Sequence, residues 1–211
     1  MPNIFIFGDS IAFGFYDGKG GWAERIKKSI DEKNYKDISG QTLFYNLSIS
    51  GNTAMDLLER LVGEIHPRID ENKENIILFA IGINDSQYRT FEKERRFCAD
   101  EFKANLSNLL SISRRYSNKI GFVGLTAIDQ PKVDPAPWAP EAAYRVHYVE
   151  EFNTIIKKMC KSQHISFINV YDEFTKKGHK KLLRDGLHPN SKGHELLAEL
   201  IRPFFEKFKV L

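Results

Sequence analysis

Four short segments of the chain combine polar side chains and glycines in patterns that could support hydrolytic chemistry. They are Gly8-Asp9-Ser10, Ser48-Ile49-Ser50-Gly51-Asn52, Gly82-Ile83-Asn84-Asp85 and Asp185-Gly186-Leu187-His188-Pro189-Asn190. A serine hydroxyl becomes a useful nucleophile at neutral pH only when a base removes its proton during attack. A nucleophilic serine in this chain therefore needs a histidine to accept its proton and a carboxylate to orient that histidine.

The segment around His188 has the most specific pattern of the four. Asp185 and His188 lie three residues apart in a stretch that the following Pro189 holds extended. The carboxylate can then hydrogen-bond to the imidazole, fix its tautomer and stabilise the imidazolium formed during turnover. We therefore predict Ser10 as nucleophile, His188 as general base and Asp185 as the residue that orients the base.

Glycine and asparagine in the second and third segments could supply hydrogen-bond donors. Gly51 lets a backbone N–H approach a ligand because no Cβ is in the way. Asn84 could donate from its side-chain amide to a developing oxyanion, with Gly82 allowing close approach. Each segment also has an ordinary interpretation: an αL turn at Gly51, an Asx turn at Asn84, and a cap or turn at Asp9 and Ser10.

Short β-type runs alternate with longer helical patterns along the chain. The predicted strands cover residues 3–8, 43–47, 75–81, 120–125 and 165–170, and the predicted helices cover residues 22–34, 53–65, 98–116, 141–161 and 191–208. Strands that are apolar on both faces and alternate with helices indicate a parallel sheet covered on two sides. In such sheets ligands collect outside the carboxyl ends of the strands, where the first three segments lie.

Several ends of the predicted helices have their own signals. Thr53 and Asp56 resemble a capping box in which Asp replaces the usual Glu. Asn190 or Ser191 is expected to cap the last helix. Pro203 lies within that helix and is expected to kink or restart it.

The composition is that of an ordinary globular protein. The 211 residues suffice for one domain with a full hydrophobic core, and we predict a single domain over residues 1–211. Residues 131–140, although rich in proline, are interpreted as a structured loop, and the mixed charges of residues 92–96 as plain surface. With 31 basic and 28 acidic residues, the formal charge of +3 is too even to imply a nucleic-acid partner.

The N-terminus and the cysteines bear on location. The chain begins without the basic region and long apolar stretch of a secretory signal, and no run of about 18 apolar residues would span a membrane. Cys98 and Cys160 could pair, but two reduced thiols are the simpler interpretation. We therefore expect a cytoplasmic protein with no membrane span.

In this order, the four segments resemble the sequence blocks of the SGNH hydrolases, also called the GDSL family of esterases and lipases. The four residues that name the family correspond to Ser10, Gly51, Asn84 and His188. The resemblance implies a three-layer, flavodoxin-like α/β fold with a five-stranded parallel sheet in the order 2-1-3-4-5. It also implies an oxyanion hole formed by the backbone N–H groups of Ser10 and Gly51 and the side chain of Asn84.

The family resemblance implies a hydrolase of carboxylic esters that works through an acyl-enzyme. We expect a small-molecule ester as substrate, with a short acyl or acetyl group, and no cofactor or metal ion. The acyl length, the alcohol half and the oligomeric state are left open by the sequence.

Two loops are expected to determine the substrate. Residues 11–21 follow the candidate nucleophile and contain four glycines and several aromatic residues, and residues 126–140 follow the fourth strand. Their aromatic side chains could line an acyl or aryl pocket, or could be anchors packed on the core. The candidate substrate-binding residues are Asp9, Phe13, Tyr16 and Trp138.

Two other classes of function fit parts of the pattern. One is a non-catalytic domain of the same fold that binds an acylated or sugar ligand. The other is a metal-dependent phosphoesterase that uses Asp9, Asp85, Asp185 and His188. The second predicts inhibition by chelators and tolerance of Ser10→Ala.

Overall fold

The strands of the chain form one large and one small sheet. The computed structural model describes residues 1–37 and 41–211. Its strands are β1 (Asn3–Gly8), β2 (Leu43–Asn46), β3 (Asn75–Ala80), β4 (Tyr88–Arg89), β5 (Glu94–Arg95), β6 (Lys119–Val123), β7 (Ala142–Ala143) and β8 (Ser166–Ile168). The helices are α1 (Ser10–Phe13), α2 (Gly21–Lys36), α3 (Ala54–Ile65), α4 (Ala99–Ser113), α5 (Val146–Ser162), α6 (Tyr171–Lys176) and α7 (Ser191–Glu206).

The large sheet is parallel and has the strand order β2-β1-β3-β6-β8. Counted among the large-sheet strands alone, this is the order 2-1-3-4-5, so the predicted flavodoxin-like α/β fold is confirmed. The register sets Phe7 beside Phe79 and Phe79 beside Phe122. Their rings stack with centroids 5.8 Å and 4.8 Å apart, which forms an aromatic row across the middle of the sheet.

The helices form two groups that cover the sheet. Helix α2 packs against α7, while α3 packs against α4 and α4 against α5. Every residue of β1 is buried. The near-continuous apolar runs of β1 and β3 are explained by this arrangement, since a strand covered on both faces has no polar side.

Local signals fix the ends of several helices as predicted. Thr53 and Asp56 form the capping box at the start of α3. At α7 the cap is Asn190, whose side chain accepts hydrogen bonds from the backbone N–H groups of Lys192 and Gly193. Pro203 does not restart the helix, because α7 continues through it to Glu206. The proline lies in the last turn and lacks the N–H that would donate to the carbonyl of Glu199, so the helix is continuous without that one bond.

The small sheet was not anticipated from the sequence. It is antiparallel with the order β5-β4-β7, and each strand contains two residues. Residues 94–95 and 142–143, assigned to plain surface and to a helix, instead pair with β4. Helix α5 consequently begins at Val146 rather than near residue 141.

The loop at residues 131–140 is held by hydrogen bonds to the segment that follows it, as expected of a structured loop. The N–H of Ala136 donates to the carbonyl of Ala142, and the N–H of Tyr144 donates to that of Val133.

Cys98 is exposed, Cys160 is buried, and both are free thiols. No helix in the described part of the chain has the length and apolar character needed to cross a membrane.

Candidate active site

Ser10 lies where β1 turns into α1 at the carboxyl edge of the large sheet. Gly8 allows this turn, since a Cβ there would lie 2.5 Å from Ala12 Cβ and 2.6 Å from the carbonyl oxygen of Ala80. The Asp9 carboxylate caps α1 by accepting a hydrogen bond of 2.9 Å from the N–H of Ile11. Ser10 opens the helix, so its own N–H has no acceptor within the helix.

The structure brings Ser10, His188 and Asp185 into one hydrogen-bonded chain. The Ser10 hydroxyl lies 3.0 Å from Nε2 of His188, and Nδ1 of the same ring lies 2.7 Å from Oδ2 of Asp185. Oδ1 of Asp185 accepts from the backbone N–H groups of Leu187 and His188 at 2.9 and 2.8 Å. The carboxylate therefore holds both the ring and the turn that carries it.

Asp185 keeps its negative charge in this half-buried position. Burial acts to raise its pKa, but the hydrogen bonds from the His188 side chain and from the backbone of His188 and Leu187 outweigh it. The pKa of Asp185 is lowered as a result. An ionised carboxylate is the form that accepts the Nδ1–H and leaves Nε2 free to accept the serine proton.

A glycine and a second loop fix the turn between Asp185 and His188. Gly186 has a φ of +102°, and a Cβ there would lie 2.7 Å from Lys132 Cβ. The N–H of Asp129 donates to the Gly186 carbonyl at 2.8 Å. The loop after β6 thus packs directly on the turn that precedes the imidazole.

Gly51 and Asn84 are the two other predicted oxyanion donors, and the side chain of Asn84 is hydrogen-bonded to the loop that contains Gly51. The Nδ2 of Asn84 donates to the carbonyl of Asn52 at 2.9 Å, which leaves its second N–H for a ligand. Gly51 has a φ of +82°, and a Cβ built there meets no atom within 4 Å. Open space therefore adjoins the Gly51 backbone.

Three aromatic rings surround the imidazole of His188. The ring centroids of Phe15, Tyr16 and Trp138 lie 5.3, 5.5 and 5.3 Å from that of His188. All three are partly exposed, at 37%, 53% and 43% of their surface. Tyr16 and Trp138 were substrate-binding candidates from the sequence, and Phe15 belongs to the aromatic residues of the loop that was expected to determine the substrate.

Two substrate-binding candidates remain, Phe13 and Asp9. In the part of the chain that the structure describes, neither adds to the ring contacts around the imidazole of His188. Phe13 is the last residue of α1 and is 55% exposed. Asp9 is 2% exposed, and its carboxylate is used by the turn around Ser10. Their contribution to substrate binding stays a prediction.

Two carboxyl groups are buried beneath this edge of the sheet. Burial raises the pKa of Asp9 to about 7, against the opposing effects of the Ile11 N–H and of His188. Burial also raises the pKa of Asp85 to about 7, opposed by the N–H of Ala54 and the charge of Arg96. Both oxygens of Asp85 lie within 3.1 Å of the Ala54 nitrogen at the start of α3.

The side chains proposed for a metal site do not form one. Within residues 1–37 and 41–211, no three His, Cys, Asp or Glu side chains are grouped as ligands of one ion. Asp9 and Asp85 each cap a different helix start, and Asp185 is bound to His188.

Tyr144 contacts the site although nothing in the sequence pointed to it. Its hydroxyl donates to Oδ1 of Asn84 at 3.0 Å, from 60 positions further along the chain. No motif spacing connects residues so far apart. The only local signal is a tyrosine that follows two small apolar residues, which is too common to be used.

A parallel α/β sheet with a Ser–His–Asp chain at its carboxyl edge is a scaffold suited to hydrolytic chemistry. The chain belongs to the GDSL-like lipase/acylhydrolase family, whose model matches residues 6–196. The resemblance to the GDSL family that was inferred from the four sequence segments is confirmed by this match. The enzyme class that follows is a hydrolase of carboxylic esters.

Similar solved structures support the fold. A lipase/acylhydrolase from Enterococcus faecalis is 22% identical with a TM-score of 0.72, over 95% of this chain and 93% of that one. A lipolytic protein of the G-D-S-L family from Veillonella parvula is 18% identical with a TM-score of 0.74, over 98% and 99% of the two chains. The acetylxylan esterase Axe2 from Geobacillus stearothermophilus is 18% identical with a TM-score of 0.73, over 96% and 94%. No curated protein matches the sequence significantly.

Proposed function

We propose that this protein is a serine esterase in which Ser10 attacks the ester carbonyl, His188 takes the serine proton and Asp185 holds the imidazole. The observation that carries the proposal is the unbroken chain of two hydrogen bonds, 3.0 Å from Ser10 to His188 and 2.7 Å from His188 to Asp185. These distances lie within the reach that a nucleophile and its base need. The family to which the chain belongs performs the same class of reaction.

The oxyanion of the tetrahedral intermediate is met by the N–H groups of Ser10 and Gly51 and by the amide of Asn84. Collapse of the intermediate breaks the bond to the alcohol, and the imidazolium of His188 returns its proton to the leaving oxygen. The acyl group then remains on Ser10. A water molecule, deprotonated by His188, attacks the acyl-enzyme and releases the acid.

The aromatic rings beside His188 contact the alcohol half of the substrate. The imidazole delivers its proton to the leaving alcohol, so groups that adjoin the imidazole also adjoin that alcohol. Phe15, Tyr16 and Trp138 together form a partly exposed apolar surface at this position. A flat ring, aryl or sugar, is suited to packing on such a surface.

The acyl half is proposed to be short, with acetate the first acid to test. Several of the similar solved structures are acetylxylan esterases, which supports this choice. A panel of p-nitrophenyl esters from acetate to palmitate, with acetylated sugars alongside, measures the preference directly. We expect kcat/KM to be highest at the short end of the panel.

The nucleophile is tested with Ser10→Ala. We expect the parent to hydrolyse p-nitrophenyl acetate and to be labelled by a fluorophosphonate probe, and the variant to lose both, with kcat reduced at least about 10³-fold. Ser113→Ala, which alters a buried serine on α4, serves as the matched control and should keep full activity.

The same measurements distinguish the serine esterase from the two alternative functions. A parent that binds acetylated ligands but is neither labelled nor active would be a binding domain. Activity that survives in Ser10→Ala and is lost with a chelator would indicate the metal-dependent phosphoesterase.

A further inference from the structure

The small antiparallel sheet places three polar residues together behind Asn84. Gln87 immediately precedes β4, Arg96 immediately follows β5 and Tyr144 immediately follows β7. Because β4 runs antiparallel to both neighbours, these three positions lie at the same end of the sheet. The N–H of Arg96 also donates to the carbonyl of Gln87 at 2.8 Å, which closes that end.

The side chains of these residues form a one-way series of hydrogen bonds. Nη1 of Arg96 donates to Oε1 of Gln87 at 2.9 Å, and Nε2 of Gln87 donates to the hydroxyl of Tyr144. The hydroxyl donates to Oδ1 of Asn84 at 3.0 Å, and Nδ2 of Asn84 donates to the carbonyl of Asn52 at 2.9 Å. Every donor points the same way, from a guanidinium to the amide of Asn84.

The first effect of this series is on the orientation of the Asn84 amide. A carboxamide that is rotated by 180° exchanges its oxygen and its NH₂ group. Rotation here would set the NH₂ against the donating hydroxyl of Tyr144 and the oxygen against the carbonyl of Asn52. Tyr144 is 2% exposed, and burial raises its pKa to about 12, so its hydroxyl remains a donor at working pH.

The second effect is on the strength of Asn84 as a donor. A hydrogen bond received at Oδ1 draws electron density away from the amide nitrogen and makes its N–H groups more acidic. Hydrogen bonds in series polarise one another in this way, most of all in a low-dielectric interior. Because the series begins at the positively charged guanidinium of Arg96, it draws electron density away from the amide nitrogen of Asn84. The Asn84 N–H then donates a stronger hydrogen bond to a developing oxyanion.

We propose that Arg96, Gln87 and Tyr144 are positioning residues that orient and polarise the Asn84 amide for the oxyanion. This inference rests on the proposed function, in which Asn84 contacts the oxyanion. It assigns a role to the small sheet, whose two-residue strands add little to the core but deliver all three side chains to one point. The relay, defined as Arg96–Gln87–Tyr144, acts on the oxyanion only through Asn84.

A double-mutant cycle tests the relay. Tyr144→Phe removes only the hydroxyl, and we expect kcat for p-nitrophenyl acetate to fall about 10- to 100-fold with KM nearly unchanged. The loss should be smaller than the about 10²–10³-fold expected for Asn84→Ala, which removes the donor itself. In the Asn84→Ala background, Tyr144→Phe should change kcat by less than about twofold, because nothing remains for the hydroxyl to position.

Two further variants separate positioning from general damage. Gln87→Met removes the hydrogen bond that Gln87 donates to Tyr144 and the longer contact of 3.5 Å between its Nε2 and Oδ1 of Asn84, while Tyr144 keeps its own bond to Asn84. Its loss in kcat should be smaller than that of Tyr144→Phe and should also vanish in the Asn84→Ala background. Tyr171→Phe removes a hydroxyl that binds Glu150 on α5 and should leave kcat unchanged. Thermal unfolding of each variant shows whether it is folded at the assay temperature.

The outcomes distinguish the relay from the function on which it rests. A parent without activity, or an active Ser10→Ala, would refute the proposed function. An active parent with an inactive Ser10→Ala, but with equal kcat losses for Tyr144→Phe in the parent and in the Asn84→Ala background, would refute the relay alone. An unchanged kcat in Tyr144→Phe would refute it as well.

Discussion

At the scale of single residues, His188 is held by one carboxylate and surrounded by three rings. Asp185 fixes the ring through Nδ1, and Ser10 meets it at Nε2. The rings of Tyr16 and Trp138 stand within 5.5 Å of it and remain partly exposed. In the proposed function, the polar contacts of His188 carry out the reaction and the aromatic rings contact the substrate.

Trp138→Ala should change substrate preference more than catalysis. Loss of the indole removes apolar contact with the alcohol half, so we expect KM for aryl and sugar acetates to rise about tenfold, the equivalent of about 1.4 kcal/mol. KM for ethyl acetate should change much less. Steady-state kinetics on both substrates provides the comparison.

Tyr35→Ala is the matched control for the indole substitution. Tyr35 is 88% exposed and lies in the last turn of α2, at the opposite end of that helix from the site. Its loss should leave both KM values unchanged. An equal rise in KM for ethyl and aryl acetates in Trp138→Ala would contradict an alcohol-side role.

At the scale of elements, the start of α7 supports the loop that carries His188. The Asn190 side chain accepts from the N–H groups of Lys192 and Gly193 and donates from Nδ2 to the carbonyls of Lys181 and Leu183. It caps the helix and ties the segment before Asp185 to the segment after His188. The residue that caps α7 therefore also stabilises the turn from Asp185 to His188.

Asn190→Ala should destabilise the protein by about 1–2 kcal/mol, because it removes the cap and both side-chain donors. Asn190→Asp keeps the acceptor that caps the helix and should recover part of that loss. Urea unfolding of the parent and both variants measures the differences. Equal stability of the alanine and aspartate variants would show that the cap contributes nothing.

At the scale of the whole molecule, two buried carboxyls make stability depend on pH. The pKa values of Asp9 and Asp85 are raised to about 7 in the folded protein, well above the ordinary value of an aspartate. The folded state therefore binds more protons than the unfolded state between about pH 4 and pH 7. The contribution of these two carboxyls to the free energy of unfolding is full below this window and is lost as the pH rises through it.

Asp85→Asn should weaken this dependence, since an amide does not titrate. We expect the free energy of unfolding of the parent to fall between pH 5 and pH 8, and the fall in the variant to be smaller by on the order of 1–2 kcal/mol. Urea unfolding at the two pH values measures both. Asp100→Asn, on the exposed surface of α4, is the control and should follow the parent. A variant with an undiminished fall would contradict the raised pKa.

The family resemblance implied the strand order of the large sheet, whereas its parallel direction and the places of Ser10, Gly51 and Asn84 followed from local patterns in the sequence. Apolar runs and helical periodicity are local, and parallel strands all end at one edge, so residues that follow different strands must meet there. The pairing of Asp185 with His188 was equally accessible, since three residues of chain separate them. These features need no knowledge of distant contacts.

Other features were decided by tertiary structure alone. Two-residue strands have no periodicity, so the small sheet and its relay to Asn84 left no readable pattern. The raised pKa values of Asp9 and Asp85 arise from burial in the folded chain, and the approach of Trp138 to His188 depends on how two loops fold over one edge of the sheet. Sequence determined which groups reach the edge of the sheet, because strand direction follows from local patterns. Packing between distant segments determined their environment, because burial and long-range hydrogen bonds exist only in the folded chain.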